Sequence, residues 1–219
     1  MKTSTPKRSD LIVLIVLFAV FWIIAIVLWL TAGRIFYLFN FGYIGTALAV
    51  GLGVYASLPA RKKPLGRRLA QFLVGAYMLL FLGLLQRENM QIEGFFFYLL
   101  AGIFAGSVIH YLVAKVAGVL IFNRGWCGWA CWTVMALDLL PFKRHKTAPL
   151  PAPWWGLRYV HFGLSLGLVA VLWWGLDYRV QEQSPTELYW LLGGNLLYYA
   201  IGIVLAFTLK DNRAFCKYV

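Results

Sequence analysis

Charge is scarce in this chain, and acidic charge most of all. Only 13% of the 219 residues are charged, with eight Asp and Glu against twenty Lys and Arg. Soluble domains carry about 25% charged and about 45–50% apolar residues. This chain is 62% hydrophobic and 17% aromatic, with a mean hydropathy of +0.74. That shortage excludes an ordinary soluble domain and a disordered tail. It also argues against a nucleic-acid-binding module despite the net charge of +12, because the cations are spread over separate segments between apolar runs. No acidic residue falls in the middle of a long apolar run, which leaves a transport path with little support. The first apolar run lacks a clear A-x-A site. At about 22 residues it is also too long for a cleaved signal peptide, and it reads as a retained anchor.

What the chain has instead is long apolar runs. A spanning helix needs roughly 20 mainly apolar residues. Six segments qualify: Leu11 to Ala32, about Leu38 to Ala60, about Leu69 to Gln86, Phe95 to about Lys115 with an alternative end at Phe122, Leu157 to Leu176, and Leu188 to Leu209. The expected fold class is all-α, a polytopic membrane helix bundle of about six transmembrane helices. Three regions follow: helices 1–4 in residues 1–122, a Cys/Trp loop with a basic and Pro-rich linker in 123–156, and helices 5–6 with a short basic tail in 157–219. With the N-terminus inside, the inner segments hold sixteen of the twenty cations. The outer loops hold Arg34, Arg87 and Arg179, and Lys115 lies in or just below the fourth span. By the positive-inside rule both termini are expected in the cytoplasm, in a multi-pass protein of the inner (cytoplasmic) membrane whose first partner is the lipid bilayer. Glu88, Glu93, Asp177, Glu182 and Glu187 then fall outside. No internal repeat stands out. Gly102/Gly106 and Gly163/Gly167 form small-xxx-small pairs that would let the fourth and fifth spans pack closely.

The inner loop carries the most distinctive chemistry, NRGWCGWACWTVMALDLLPF over residues 123–142. Cys127 and Cys131 are four apart. If that stretch is helical, they share one face with Cβ atoms roughly 5–6 Å apart, a spacing suited to two thiolates on a metal or to an exchanging redox pair. The competing reading is that buried cysteines in apolar proteins are commonly inert. Trp126, Trp129 and Trp132 favour the membrane interface. The third cysteine, Cys216, lies in the tail DNRAFCKYV, so all three fall on one expected face, the reducing one, where structural disulfides are disfavoured.

FNRGWCGWACWTVMALDLLPFKR, followed one helix pair later by LKDNRAFCKYV, resembles the membrane part of the polyferredoxin family of NapH-like, membrane 4Fe-4S binding proteins. The resemblance covers mainly residues 120–219. It implies two cytoplasmic C-x3-C-P motifs, of which the first matches at Cys127 and Cys131 and the second at Cys216 alone. Trp132 stands where the family has Pro. The implied metal ligands are Cys127, Cys131 and Cys216. A [4Fe–4S] site needs four thiolates, so the fourth ligand is missing from this chain. The chain ends at Val219, one residue before the expected second cysteine of that motif. The expectation is therefore a truncated N-terminal part, completed by a missing C-terminal ferredoxin segment or a redox partner protein. The implied function is electron transfer between quinone and that partner. The alternatives are a thiol–disulfide carrier built on Cys127 and Cys131, and a non-redox assembly or scaffold subunit. No catalytic residue is singled out.

His110 and His161 lie in or at the fourth and fifth spans, where ionisable groups are functional candidates. They are candidates for contacting a quinone or, ranked below it, a haem; helix-to-helix hydrogen bonding is the plain alternative. At 1.5 Å per residue His161 is about 6 Å inside Leu157. If the fourth span ends near Lys115 the two histidines share a depth. If it runs to Phe122, His110 is about 18 Å deep and the pair separates.

Overall fold

The structure is a computed structural model that describes residues 8–104, 106–122, 125–142, 152–179, 181 and 183–218. The basic cluster Lys143–Lys146 and the Pro-rich stretch from Thr147 to Pro151 lie outside these residues. All regular structure among them is helical, as hydrocarbon demands, since a spanning helix satisfies every backbone group within its own segment. Five helices are long and apolar enough to cross a membrane, so this is an all-α membrane protein. The chain divides into two units. The first comprises Met1–Ala76 with Gly128–Trp132, and the second Tyr77–Cys127 with Thr133–Val219.

In the first unit, α1 (Arg8–Ala32) and α2 (Ile35–Ser57) form an antiparallel pair across Gly33, which adopts φ +67°. The first turns of α3 (Lys63–Leu85) then return along α2. Small residues set the spacing. A Cβ on Gly66 would lie 2.5 Å from the backbone N of Tyr55, and one on Gly51 2.3 Å from Cβ of Ala70. Close backbone approach is what drives association where lipid is as apolar as the side chains. Only Phe21 and Ala25 of α1 are buried, so its remaining apolar surface is left to face lipid.

In the second unit the expected fourth span is not one helix. It is a half-helix α4 (Ile92–Leu100), a break, and a second helix α5 over residues 106–122. The break is a Schellman turn. Gly102 sits at φ +69°, its N–H donates to Leu99 O (3.2 Å), and Ile103 N–H donates to Tyr98 O (2.9 Å). That is the hydrogen-bond pattern by which a left-handed glycine ends a helix. The chain then reverses. Phe95 and Tyr111 stack with ring centroids 4.4 Å apart, whereas a continuous helix would separate them by about 24 Å. Hydropathy could not reveal this, because LLAGIFAG is as apolar at the turn as on either side.

The remaining long helices are α8 (Trp154–Gly175) and α9 (Pro185–Leu209). Between α7 (Trp132–Leu137), which follows α6 (Gly125–Trp129), and the tail helix α10 (Ala214–Tyr218) lies what can be called the cysteine end of the unit. The opposite, hairpin end holds the turn between α8 and α9. From the hairpin end, the non-helical segment 86–91 descends along α9. Gln86 accepts from Gln183 Nε2 (3.1 Å) at that end, and Gln91 Nε2 donates to Leu191 O (3.1 Å) six residues into α9. Gly194 makes room for it, since a Cβ there would lie 2.0 Å from Gln91 Oε1. α4 then climbs back, and Phe97 meets Tyr178 of the hairpin end edge-on at 5.4 Å. Residues 86–100 are thus a re-entrant loop and half-helix. Non-helical backbone at such depth is tolerated where protein buries it, and Asn89, Met90 and Gln91 are buried. The Gly163/Gly167 pair does not join helices: nothing lies within 4 Å of a Cβ added at either position. Gly102 serves the turn instead.

Candidate functional site

Re-entry brings Glu93, expected in an outer loop, into the interior of the second unit. Ser165 Oγ donates to Glu93 Oε1 at 2.6 Å. Tyr198 OH reaches Oε1 and Oε2 at 3.0 and 3.1 Å. His161 Nε2 lies 3.2 Å from the same hydroxyl. The partners share a depth: Ser165 is about 12 Å from Leu157, Tyr198 about 16 Å from Leu209 and Tyr111 about 16 Å from Phe122. Glu93 stands in the first turn of α4, where the positive end of the helix dipole favours a negative group. Tyr111, stacked on Phe95, feels the charges of Glu93 and Lys115.

A second polar group sits at the hairpin end. Glu187 is fully buried in the first turn of α9, accepts from Tyr178 OH at 3.0 Å, and donates its own N–H to the Ser184 cap at 3.3 Å. Burial, with the Glu187 carboxylate beside it, pushes the Tyr178 hydroxyl up to about 12.

At the cysteine end the tail is pinned to the segment that follows the Cys/Trp motif. Arg213 grips Asp138 in a bidentate pair along one edge of its guanidinium, Nε donating to Oδ1 at 3.0 Å and Nη2 to Oδ2 at 2.6 Å. Asn212 Nδ2 donates to Leu140 O at 2.7 Å. Asp211 accepts from Arg213 N–H at 2.9 Å and pairs with Lys217 across the short tail helix. Phe142 packs edge-on against Phe207 at 4.8 Å, and Trp155 against Tyr218 at 5.8 Å. Phe215, the neighbour of Cys216, lies 5.6 Å from the Tyr198 ring. The tail that carries Cys216 therefore touches the polar chain centred on Tyr198.

The five candidate ligands end up as follows. Cys127 is half-buried in α6, Cys131 is buried, Cys216 is exposed, and no disulfide joins them. A single helical face for Cys127 and Cys131 is not formed. α6 ends at Trp129, and Cys131 stands between α6 and α7, because Gly125 and Gly128 each weaken a helix by about 1 kcal/mol. Among the described residues no three His, Cys, Asp or Glu gather as a metal site. His110 is buried in α5 and His161 half-buried in α8. Since α5 runs to Phe122, the two histidines differ by about 12 Å in depth.

Sequence reasoning missed two things. Glu93, Ser165 and Tyr198 were invisible because the turn that unites them is apolar. The second was legible: Asn123-Arg124-Gly125-Trp126-Cys127 and Asn212-Arg213-Ala214-Phe215-Cys216 repeat Asn-Arg-small-aromatic-Cys. Each small residue opens a five-residue helix after a long apolar one. The preceding hairpins match as well. α3 and α8 both end in widened turns, Gln86 N to Phe81 O and Leu176 N to Val171 O, followed by left-handed Arg87 and Asp177. Asn123 and Arg124 themselves lie outside the described residues. Compared with protein-family models, curated proteins and solved structures, the chain has no match.

Proposed function

We propose that the chain is a membrane electron-transfer protein that exchanges electrons between quinone in the bilayer and a partner at its cysteine end. That end and both termini would face the cytoplasm across the inner membrane, as the sixteen-to-three distribution of cations suggests. The observation that carries this reading is the His161–Tyr198–Glu93 chain set in an apolar bundle and touching Phe215 beside Cys216. Ionisable groups held at such depth are costly and are kept for function. Imidazole and phenol are also the hydrogen-bonding groups that would orient a quinone carbonyl, with His161 closer to that role than the separately buried His110. The separation of the two histidines in depth counts against a haem shared between them.

The residues present do not close an iron–sulfur site. Four thiolates are needed, the chain has three, and the described residues gather no three metal-binding groups. Cys127, Cys131 and Cys216 fit such a centre only as part of a set completed by a redox partner protein or a ferredoxin-type segment. The test is anaerobic isolation of the protein with its native membrane partners, followed by iron and acid-labile sulfide analysis. The expected result is a broad iron–sulfur absorbance that Cys127→Ala and Cys131→Ala diminish. Absence of iron and sulfide together with a reversible Cys127–Cys131 disulfide would replace this reading with a thiol–disulfide carrier. Replacement of all three cysteines without loss of quinone-linked electron transfer would leave a scaffold role.

A further inference from the structure

We propose that His161, Tyr198 and Glu93 form a proton-uptake path running from the cysteine end of the second unit to mid-depth of the bundle. The proposal goes beyond electron transfer and stands whether or not the cysteines hold a cluster. Three features carry it. The contacts are sequential and within hydrogen-bonding reach: 3.2 Å from imidazole to phenol, and 3.0 and 3.1 Å from phenol to the two carboxylate oxygens. The path has a direction, since along α8 His161 lies about 6 Å from Leu157 while Ser165, which holds Glu93, lies about 12 Å from it. The terminal carboxylate is held in place by hydrogen bonds at the first turn of α4. Ser165 and Tyr198 donate to it, and α4 offers its N-terminal end.

The titratable groups facing Glu93 come from three elements. These are His161 through Tyr198 on α8 and α9, Tyr198 itself, and Tyr111 on α5 with Lys115 one turn beyond it. The transfer balances with no change in oxidation state. Imidazolium His161 gives its Nε2 proton to the Tyr198 oxygen as Tyr198 gives its hydroxyl proton to Glu93. His161 is left neutral with its proton on Nδ1, Tyr198 remains a phenol, and Glu93 becomes a carboxylic acid. The sum of charges on the chain is zero before and after. A low-dielectric interior therefore imposes no net-charge penalty on the step, whereas moving a bare charge to that depth would be prohibitive. The path resets when Glu93 releases its proton to an acceptor at mid-depth and the half-buried His161 regains a proton on Nε2 from water at the cysteine end. Ser165 donates to Glu93 and lies within hydrogen-bonding reach of Tyr198 as well, so it steadies the terminal pair, while the direct step runs from Tyr198 to Glu93.

The experiment is time-resolved infrared spectroscopy of the full chain in lipid nanodiscs after a rapid drop in pH. Glu93→Gln should remove one component of the carboxylic-acid stretch that appears, the other components coming from the remaining seven Asp and Glu residues. Tyr198→Phe keeps the ring against Phe215 and removes the hydroxyl, and should slow the appearance of that band about tenfold or more. Ser165→Ala should change the pH at which the band appears and leave its rate within about twofold of the unaltered protein. Circular dichroism and gel filtration of each variant separate these effects from misfolding, and His161→Gln gives a second, independent block on the route. A band unaffected by Glu93→Gln would overturn the proposal. So would equal rates in the unaltered, Tyr198→Phe and His161→Gln proteins.

Discussion

The two units solve the same problem, helix association in an apolar environment, in different ways. The first uses shape. Gly51 and Gly66 let α2 and α3 approach until a single added methyl group would collide with backbone or Cβ. The second uses polarity. A re-entrant half-helix, a half-buried carboxylate and a clasped tail are joined by Gln91, Ser165, Tyr198 and Arg213. The difference teaches where function can reside. Glycine contacts specify a packing and leave nothing to titrate or reduce, whereas a polar network commits groups that can carry protons.

The comparison breaks first at the clasp. Asp138 and Arg213 side chains are 9% and 16% exposed, while Asp177 and Arg179 at the hairpin end are 82% and 52% exposed. Asp138→Asn strands a largely buried guanidinium and should cost about 3–5 kcal/mol. Asp177→Asn, in an exposed pair, should cost at most about 1 kcal/mol. Denaturation of both variants in the same detergent reads the difference, and equal losses would mean that the tail is not held by this pair.

Next comes the glycine seam. Gly66→Ala should destabilise by about 1–3 kcal/mol through overpacking against Tyr55, seen as a lower thermal midpoint in micelles. An unchanged midpoint would show that shape is not what joins α2 and α3. Tyr178 gives a smaller, pH-limited effect. Its hydroxyl sits at about 12 in the folded protein against about 10 for an unfolded tyrosine. The folded state therefore favours the neutral phenol. That contribution is complete below about pH 10 and is lost as the pH rises through about 12. Tyr178→Phe should remove this alkaline dependence, and ultraviolet titration of phenolate locates it directly. The smallest effect is expected at Gly163, where open space allows a methyl group. Gly163→Ala should be neutral or stabilise by up to about 1 kcal/mol from helix propensity. A loss there would restore Gly163 as a packing contact.

Particular residues mark what could be read in advance. The apolar runs gave helices at α1, α2, α3, α8 and α9 because a spanning helix closes its own hydrogen bonds and needs no distant partner. The cysteines, His110 and His161 were visible by residue type. The Asn-Arg-small-aromatic-Cys repeat was present in the sequence and went unread, since it depends on comparing two distant pentapeptides and not on local periodicity. By its position in the sequence Glu93 is an outer-loop acid. Its true surroundings depend on Gly102 turning the chain back, and glycine within an apolar run signals neither turn nor helix by hydropathy.

By itself, then, the sequence determined that this chain is helical and belongs in a membrane, and that its thiols cluster in two short motifs. Those properties follow from composition and local hydrogen bonding. Tertiary structure alone decided that residues 86–100 re-enter the bundle, that Asp138 meets Arg213 seventy-five positions away, and that Glu93 shares a hydrogen-bonded chain with Tyr198 and His161. Such pairings join residues far apart in the chain, and only the folded backbone brings their polar atoms within hydrogen-bonding distance.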